Sequence, residues 1–194
     1  MYRINEIFYS LQGEGHWAGT PAVFVRFSGC NLRCHFCDTD FGDSTEMSAE
    51  AIVEAVLDAG GDCRTVIITG GEPALQLDEN LLLALHSHHF YVCIETNGTR
   101  PLPDSIDWIT CSPKAAFCPN ATPVLTRCNE VKVVFDGTGE PCDCGIDADY
   151  YYLQPCDTGD AARNALITQQ CVDYCKCHPR WRLSLQQHKL LNIR

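Results

Sequence analysis

Long apolar runs are absent from the sequence: no stretch approaches the ~18–20 uninterrupted hydrophobic residues that a membrane-spanning helix needs. Basic residues are also scarce, since 14 Lys and Arg stand against 25 Asp and Glu and the net charge is −11. Affinity for nucleic acid rests on clustered Lys and Arg, so this charge disfavours such a partner. We therefore expect no membrane and no nucleic acid, and a small molecule as the ligand.

Export and repeat signals are missing as well. Residues 1–6 lack the basic and then apolar order of a secretion signal, which predicts a cytoplasmic protein. The sequence has no internal repeat, low-complexity tract or linker. Its 194 residues, of which 45% are hydrophobic, are therefore predicted to form a single domain over residues 1–194.

Cysteine, by contrast, is abundant, with 14 residues. This content indicates either the disulfide framework of a secreted protein or a metal site in a reducing compartment. Disulfide frameworks compensate for a core too small to hold a fold, whereas this chain is long enough to bury one and shows no export signal. The sequence therefore favours the metal site.

Apolar runs of strand length alternate with amphipathic segments of helix length. Strands are predicted at 22–27, 65–68, 91–94, 108–111, 131–134, 150–153 and 181–185, helices after Ser48, at 80–86 and at 161–174, and a surface loop at 136–149. Strands linked by helices pair mainly in parallel. A complete eight-fold barrel takes ~250 residues. We therefore predict an α/β fold with a mainly parallel sheet and a shortened or partial (β/α) barrel.

A compact polar cluster follows six of these strands at the carboxyl end. The clusters are residues 30–39, 69–73, 95–98, 112–114, 154–155 and 186–189. Parallel α/β folds bind ligands outside the carboxyl ends of their strands. We therefore expect the six clusters to meet at the mouth of one site.

Cys30, Cys34 and Cys37 have C-x3-C-x2-C spacing within the first cluster. Three thiolates do not complete a structural zinc site, which takes four protein ligands, but they suit an iron–sulfur cluster with one iron left open for a ligand. A zinc knuckle completed by His35 or by a remote cysteine is the alternative. The glycine-rich segment at 69–73 by itself indicates only a turn. Together with the three cysteines it forms a much more specific motif.

Together with Gly70-Gly71-Glu72-Pro73, the cysteine triad resembles the radical S-adenosylmethionine superfamily, in which three cysteines hold a [4Fe-4S] cluster and the methionine amine and carboxylate bind its fourth iron. Further blocks are similar to the 7-carboxy-7-deazaguanine synthase family: FYSLQGEG at 8–15, FVRFSGC at 24–30, CDT at 37–39, SPK at 112–114 and RLSLQQHK at 182–189. These blocks extend nearly from end to end. We therefore expect a radical S-adenosylmethionine core.

The resemblance implies a lyase that contracts 6-carboxy-5,6,7,8-tetrahydropterin to 7-carboxy-7-deazaguanine with release of ammonia, a step of queuosine biosynthesis in the tRNA modification pathway. It implies a [4Fe-4S] cluster, S-adenosylmethionine and Mg²⁺ as cofactors. The cofactors supply a 5′-deoxyadenosyl radical that takes the hydrogen from C6 and later returns it, while the protein positions the reactants. A reductant protein such as flavodoxin and a homodimer are implied by the resemblance alone.

The resemblance also assigns site residues, although it makes no protein residue catalytic. For the cluster and Mg²⁺ it implies Cys30, Cys34, Cys37 and Thr39. For S-adenosylmethionine it implies Phe36, Cys37, Asp38, Gly71, Glu95, Asn97, Ser112, Pro113, Lys114, Gln154, Pro155, Cys156 and Asp157. For the pterin it implies Leu11, Gln12, Gly13, Glu14, Arg26, Thr69, His188 and Arg194, the last through its terminal carboxylate.

Several of these residues also have a plain structural interpretation. The alternative for Glu95 and Lys114 is an exposed ion pair, for Thr39 a turn, and for Arg26 a structural salt bridge. The cysteines outside the triad indicate either an auxiliary metal site or small buried apolar side chains. The most closely spaced of them are Cys142, Cys144, Cys171, Cys175 and Cys177.

Two other functions are compatible with a cysteine triad. An activase that places a glycyl radical on a partner protein needs a docking groove rather than a pterin pocket. An electron carrier or a zinc-binding module would have no catalytic activity.

Overall fold

In the computed structural model, which describes residues 1–37, 39 and 43–194, the strands form one mostly parallel sheet. The strands are β1 (Tyr2–Leu11), β2 (Pro21–Phe27), β3 (Thr45–Met47), β4 (Thr65–Gly70), β5 (Tyr91–Thr96), β6 (Trp108–Cys111), β7 (Arg127–Phe135), β8 (Asp147–Pro155) and β9 (Trp181–Leu183). The helices are α1 (Ala49–Gly60), α2 (Glu79–Ser87), α3 (Ala161–Cys177) and α4 (Gln187–Leu191), with a 3-10 turn at Pro73–Leu75. Among the described residues, none of these helices combines the length and the hydrophobicity that a bilayer crossing requires.

The sheet is open and has the strand order β3-β1-β2-β4-β5-β6-β7-β8-β9. Every neighbouring pair from β2 to β9 is parallel, whereas β1 is antiparallel to both β2 and β3. The predicted α/β fold with a partial barrel is thus confirmed. Because the parallel strands end at the same edge of the sheet, the polar segments that follow them are brought together.

Helix α1 begins and ends as its sequence predicts. Ser48 precedes it, and the Ser48 hydroxyl accepts a hydrogen bond from the Ala51 amide at 3.2 Å. Gly61 ends the helix with a φ of 54°. The apolar pattern predicts a buried face of Ile52, Ala55, Val56 and Ala59. The structure buries Ile52 and Val56 together with Ala49 and Val53, whereas Ala55 is only partly buried and Ala59 is exposed.

Three short or irregular elements are absent from the prediction. Strand β1 was missed because its pairing with β2 shifts register between Ile4 and Glu6, which interrupts the alternation of apolar and polar residues. Helix α4 has five residues and no side-chain cap, and β3 has three residues. Such short elements carry little periodicity for a sequence pattern to reveal.

Most of the cysteines outside the triad are buried in the interior of the protein. All fourteen are free thiols. Cys171 is fully buried in a core with Val131 and Ile167, and Cys175 packs against the same core. In the part of the chain that the structure describes, no three His, Cys, Asp or Glu side chains are grouped to hold a single metal ion. The structure therefore supports the interpretation of Cys171 and Cys175 as small apolar residues.

Candidate active site

A cavity of about 580 Å³ lies at the carboxyl ends of the parallel strands. The predicted site residues that line it are Leu11, Gln12, Gly13, Glu14, Arg26, Cys30, Cys34, Phe36, Cys37, Thr39, Thr69, Gly71, Glu95, Asn97, Ser112, Lys114, Gln154, Pro155, Cys156, Asp157, His188 and Arg194. Pro113 lines a smaller cavity of about 210 Å³ instead, and Asp38 lies outside the described residues. One cavity thus contains residues from both the cofactor set and the pterin set.

The triad cysteines line this cavity on the loop after β2, where two are partly buried and Cys37 is exposed. The Cys34 Sγ lies 3.7 Å from the Cys118 Sγ. The rings of Phe36 and Phe117 meet edge to face with centroids 4.7 Å apart. Burial and, after it, the contact with Cys118 raise the pKa of Cys34 to about 12. The loop that carries Cys118 therefore packs on the triad loop, and binding of iron must displace the thiol proton.

Gly70 and Gly71 pack directly against the backbone that leads into the triad. A Cβ on Gly71 would lie 2.0 Å from the carbonyl oxygen of Gly29. The Gly71 amide donates to the Phe27 carbonyl at 3.1 Å, and Gly70 has a φ of 125°. A side chain at either position would push the two loops apart. Glycine thus allows the backbone of this turn to form a wall of the cavity.

Glu72 ties the glycine-rich turn to the carboxyl end of β5. It is fully buried and accepts hydrogen bonds from the Thr96 hydroxyl and the Asn97 amide, both at 2.6 Å, and from the Ala74 amide at 3.0 Å. Burial raises the pKa of Glu72, and these hydrogen bonds oppose that shift. The turn is thereby fixed against the segment that carries Glu95 into the cavity.

Glu95 and Lys114 have separate partners, so they do not form the exposed ion pair considered as an alternative. Glu95 accepts a hydrogen bond from the Gln12 side-chain amide at 2.8 Å. The Lys114 ammonium donates to the carbonyl and the hydroxyl of Ser112 at 2.7 and 2.5 Å. Burial lowers the pKa of Lys114. Both side chains line the cavity wall.

A buried ammonium lies between the two halves of the cavity. Lys132 on β7 is 5% exposed, pairs with Glu14 and lies 3.6 Å from Glu95. Burial lowers the pKa of Lys132, but the charges of Glu14, Glu95 and Glu130 raise it overall. Burial likewise raises the pKa of Glu14, but Lys132 and the hydrogen bond from Gln186 hold it at about 2. Glu14 is therefore ionised at neutral pH.

Glu130 lies two residues before Lys132, on the same face of β7. It is 2% exposed and accepts a hydrogen bond from the His16 amide at 2.9 Å. Burial raises the pKa of Glu130 from 4.5 to about 7, although the charge of Lys132 opposes the shift. Because the folded-state pKa lies above the ordinary value, the stability that Glu130 contributes is present at low pH and is lost as the pH rises through about 7.

We expect Glu130→Gln to flatten the pH dependence of stability between about pH 4.5 and pH 7. Through this group the wild type should lose up to about 3 kcal/mol of unfolding free energy over that range. Glutamine has the shape of the protonated acid and cannot lose a proton. Denaturant unfolding at several pH values measures the effect.

Glu54→Gln, at an exposed position of α1, is the matched control and should keep the wild-type profile. Glu72 and His16 have shifted pKa values in both proteins, so the difference between the profiles isolates Glu130. A wild-type profile in Glu130→Gln would contradict the assignment.

Arg26 lies on the opposite side of the cavity. It forms a structural salt bridge, which the sequence analysis considered as the alternative to substrate binding. Its Nε lies 2.8 Å from one Glu6 carboxylate oxygen, and the other oxygen pairs with the Arg194 guanidinium. The Arg194 carbonyl oxygen accepts a hydrogen bond from the Ser10 hydroxyl at 2.5 Å, and its guanidinium lies 4.9 Å from the centroid of the Phe8 ring. Glu6 thus links Arg26 to the end of the chain.

Helix α4 packs on the loop that follows β1. The Gln187 amide donates to the Gly13 carbonyl at 2.9 Å, and a Cβ on Gly13 would lie 2.3 Å from the His188 Nδ1. Lys189 pairs with Asp157 at 2.9 Å, and its hydrogen bond lowers the pKa of Asp157. These contacts bring residues 11–14 and the C-terminal segment to the same wall.

Comparison with known proteins identifies the family. Residues 24–110 match the Radical SAM superfamily. A 7-carboxy-7-deazaguanine synthase from Bacteroides thetaiotaomicron is 52% identical over 194 residues, with 100% of both chains covered. The chain belongs to the 7-carboxy-7-deazaguanine synthase family. A synthase of the same name from Burkholderia multivorans is 45% identical with 99% of both chains covered. The crystal structure of QueE from Escherichia coli matches with a TM-score of 0.76 at 28% identity, covering 96% of this chain and 94% of that chain.

The family makes the chain a radical S-adenosylmethionine enzyme with a [4Fe-4S] cluster, and the cavity fits these cofactors. Three thiols stand on one loop beside a glycine-rich turn whose backbone forms a wall of the cavity. Each thiolate of a cubane cluster binds a different iron, so the thiols need not converge on one point as zinc ligands do. The family therefore favours the cluster over the zinc knuckle.

Sequence reasoning missed several charged residues of this synthase cavity, among them Lys132 and Glu6. Lys132 stands between Val131 and Val133 in a run predicted as a buried strand. A lysine there signals a buried partner, because lysine is almost never fully buried without one. Glu6 lies on β1, which was not predicted, so its position facing Arg26 could not be inferred.

Proposed function

We propose that the chain converts 6-carboxy-5,6,7,8-tetrahydropterin to 7-carboxy-7-deazaguanine with release of ammonia, in queuosine biosynthesis. The observation that carries this proposal is the single cavity in which the cysteine triad, the glycine-rich turn and the charged pterin set face one another. A cavity of about 580 Å³ is within the size range of small-molecule sites. It suits a pterin better than the protein segment that an activase would have to admit.

The residues around the triad would hold S-adenosylmethionine. Bound there, the cluster and S-adenosylmethionine supply the radical that removes hydrogen from the substrate. The backbone at Gly71 suits the methionine amine, and the Ser112–Lys114 segment suits its carboxylate because lysine brings three donors and a charge. Glu95 and Asn97 suit the ribose hydroxyls. The adenine side is assigned to Phe36, Asp38, Gln154, Pro155, Cys156 and Asp157.

The pterin would bind between the β1 loop and the C-terminal segment. The substrate carboxylate suits Arg26, whose guanidinium remains on the cavity wall while its Nε pairs with Glu6. The ionised Glu14 suits an N–H donor of the pterin outside the pyrimidine edge that is assigned to the Arg194 carboxylate, because a carboxylate accepts hydrogen bonds. Leu11 to Gly13, Thr69 and His188 complete the wall.

Anaerobic reconstitution followed by incubation with S-adenosylmethionine, a reductant and the carboxytetrahydropterin tests the proposed function. Formation of 7-carboxy-7-deazaguanine with little net consumption of S-adenosylmethionine is the expected result. Cleavage of S-adenosylmethionine without deazaguanine would indicate an activase instead. Absence of both reactions in the cluster-loaded protein would indicate an electron carrier.

We expect Thr39→Ala to weaken the response of activity to Mg²⁺. Thr39 lines the cavity next to the triad, and Mg²⁺ prefers oxygen ligands and keeps several waters, so one protein hydroxyl suffices. Titration of turnover with Mg²⁺ measures the effect. Thr39→Ser, which keeps the hydroxyl, should retain the wild-type response, and an unchanged response in Thr39→Ala would count against the assignment.

The homodimer and the flavodoxin-type reductant remain predictions from the family resemblance, and the cytoplasmic location remains a prediction from the N-terminal sequence. The single domain over residues 1–194 also remains a prediction.

A further inference from the structure

We propose that Lys132 is a positioning residue that fixes the carboxylates of Glu14 and Glu95 and so couples the pterin half of the cavity to the S-adenosylmethionine half. The proposal rests on the proposed function, because it takes Glu14 as a contact of the pterin and Glu95 as a contact of the ribose. Lys132 itself is assigned no bond to either reactant.

The geometry places one ammonium between two carboxylates that come from distant parts of the fold. Glu14 lies on the loop after β1, whereas Glu95 lies near the end of β5. Lys132 pairs with Glu14 and lies 3.6 Å from Glu95. The Lys132 and Glu14 side chains are only 5% and 13% exposed. Water therefore screens this pairing weakly, and the orientation of one carboxylate depends on the other through the shared cation.

Two neutral amides orient the same carboxylates without neutralising them. Gln12 donates to Glu95 at 2.8 Å, while its carbonyl oxygen accepts from the Glu14 amide at 3.1 Å. Gln186 donates to the second oxygen of Glu14 at 3.0 Å. Glutamine carries no charge, so the burial of two carboxylates is compensated mainly by Lys132.

The chemical consequence concerns the protonation state of Glu14. A carboxylate accepts hydrogen bonds only, whereas a carboxylic acid turns one oxygen into a donor. Pterin N–H groups need an acceptor, so they are recognised by the ionised form. The charged and titratable groups that act on Glu14 are Lys132, Lys114, Glu130 and His188, and Glu95 shares the Lys132 ammonium. Burial favours the neutral form of Glu14, and among these groups Lys132 contributes most to keeping it ionised.

The first test measures pterin affinity of the reconstituted Lys132→Met protein by equilibrium binding across pH. We expect the affinity to fall by at least about tenfold at pH 7 and to gain a pH dependence between about pH 4 and pH 8, because burial then acts on Glu14 without its main opposing charge. Lys114 and His188 are present in both proteins, so the comparison reports the loss of the Lys132 ammonium. A wild-type pH profile in Lys132→Met would overturn the proposal, since a merely structural role of Lys132 does not alter the profile.

A second comparison remains decisive if Lys132→Met does not fold because Glu14, only 13% exposed, and Glu95 have lost their shared cation. Lys132→Met/Glu14→Gln removes the ammonium together with one carboxylate, and Glu14→Gln is its matched control with Lys132 retained. The double variant should bind S-adenosylmethionine at least about fivefold more weakly than Glu14→Gln, because Glu95 has lost its cation. Equal affinities would overturn the proposal. A wild type that does not bind the pterin would refute the proposed function, whereas the S-adenosylmethionine comparison would still test how Lys132 holds Glu95.

Discussion

Replacing any one of Cys30, Cys34 and Cys37 with alanine is expected to abolish cluster binding and turnover together. Each thiolate binds one iron of the cluster, and this loop offers three of them. Loss of one leaves a second iron without a protein ligand, so the cluster is no longer held at three corners. Iron per chain after anaerobic reconstitution is the measurement, with about four expected in the wild type and close to none in each variant.

Three other thiols serve as controls for this experiment. Cys118 lies 3.7 Å from Cys34, and Cys171 and Cys175 belong to the core around α3. Alanine at any of these three positions should leave about four irons per chain and most of the activity. Loss of iron in the Cys171 or Cys175 variants would revive an auxiliary metal site. Iron retained in Cys34→Ala and lost on addition of Cys118→Ala would show that Cys118 replaces Cys34 as a ligand.

The parts of the site that the sequence predicted are those encoded locally. Three cysteines within eight residues, a glycine-rich turn and polar residues directly after apolar runs are readable without knowledge of the fold. The parallel sheet follows from the alternation of strands and helices, and it alone brings strand ends together. Gly71 illustrates the agreement, because the predicted glycine-rich turn packs so closely against Gly29 that a side chain has no room.

The parts that the sequence could not predict depend on pairing over long distances. Glu6 faces Arg26 only because β1 pairs with β2 through a register shift. Lys132 meets Glu14 across 118 positions of sequence. A pattern of hydrophobicity records which residues are buried, but it does not record which buried charges neutralise one another. The pairing of charged side chains in the cavity could therefore be seen only in the structure.

Deleting residues 192–194 is expected to weaken pterin binding sharply while the cluster and S-adenosylmethionine binding survive. Termini usually fray, but this one is held by its contacts. The Ile193 amide donates to the His188 carbonyl at 3.0 Å, the Ser10 hydroxyl donates to the Arg194 carbonyl at 2.5 Å, and Glu6 pairs with the Arg194 guanidinium. Arg194 thereby lines the cavity together with Arg26 and His188.

The carboxylate of Arg194 is the group that we expect the pterin to use, because the 2-amino-4-oxopyrimidine edge presents adjacent N–H donors and a carboxylate accepts two such bonds at once. A hexahistidine extension after Arg194 converts this carboxylate into an amide and should raise the pterin Kd by at least about tenfold. Arg194→Ala keeps the carboxylate and loses the guanidinium contacts with Glu6 and the Phe8 ring, so its effect should be smaller. The same tag placed before Met1 controls for the tag itself. Equilibrium binding of pterin and of S-adenosylmethionine to the four proteins separates these contributions, and wild-type pterin affinity in the C-terminally extended protein would exclude the carboxylate as a ligand.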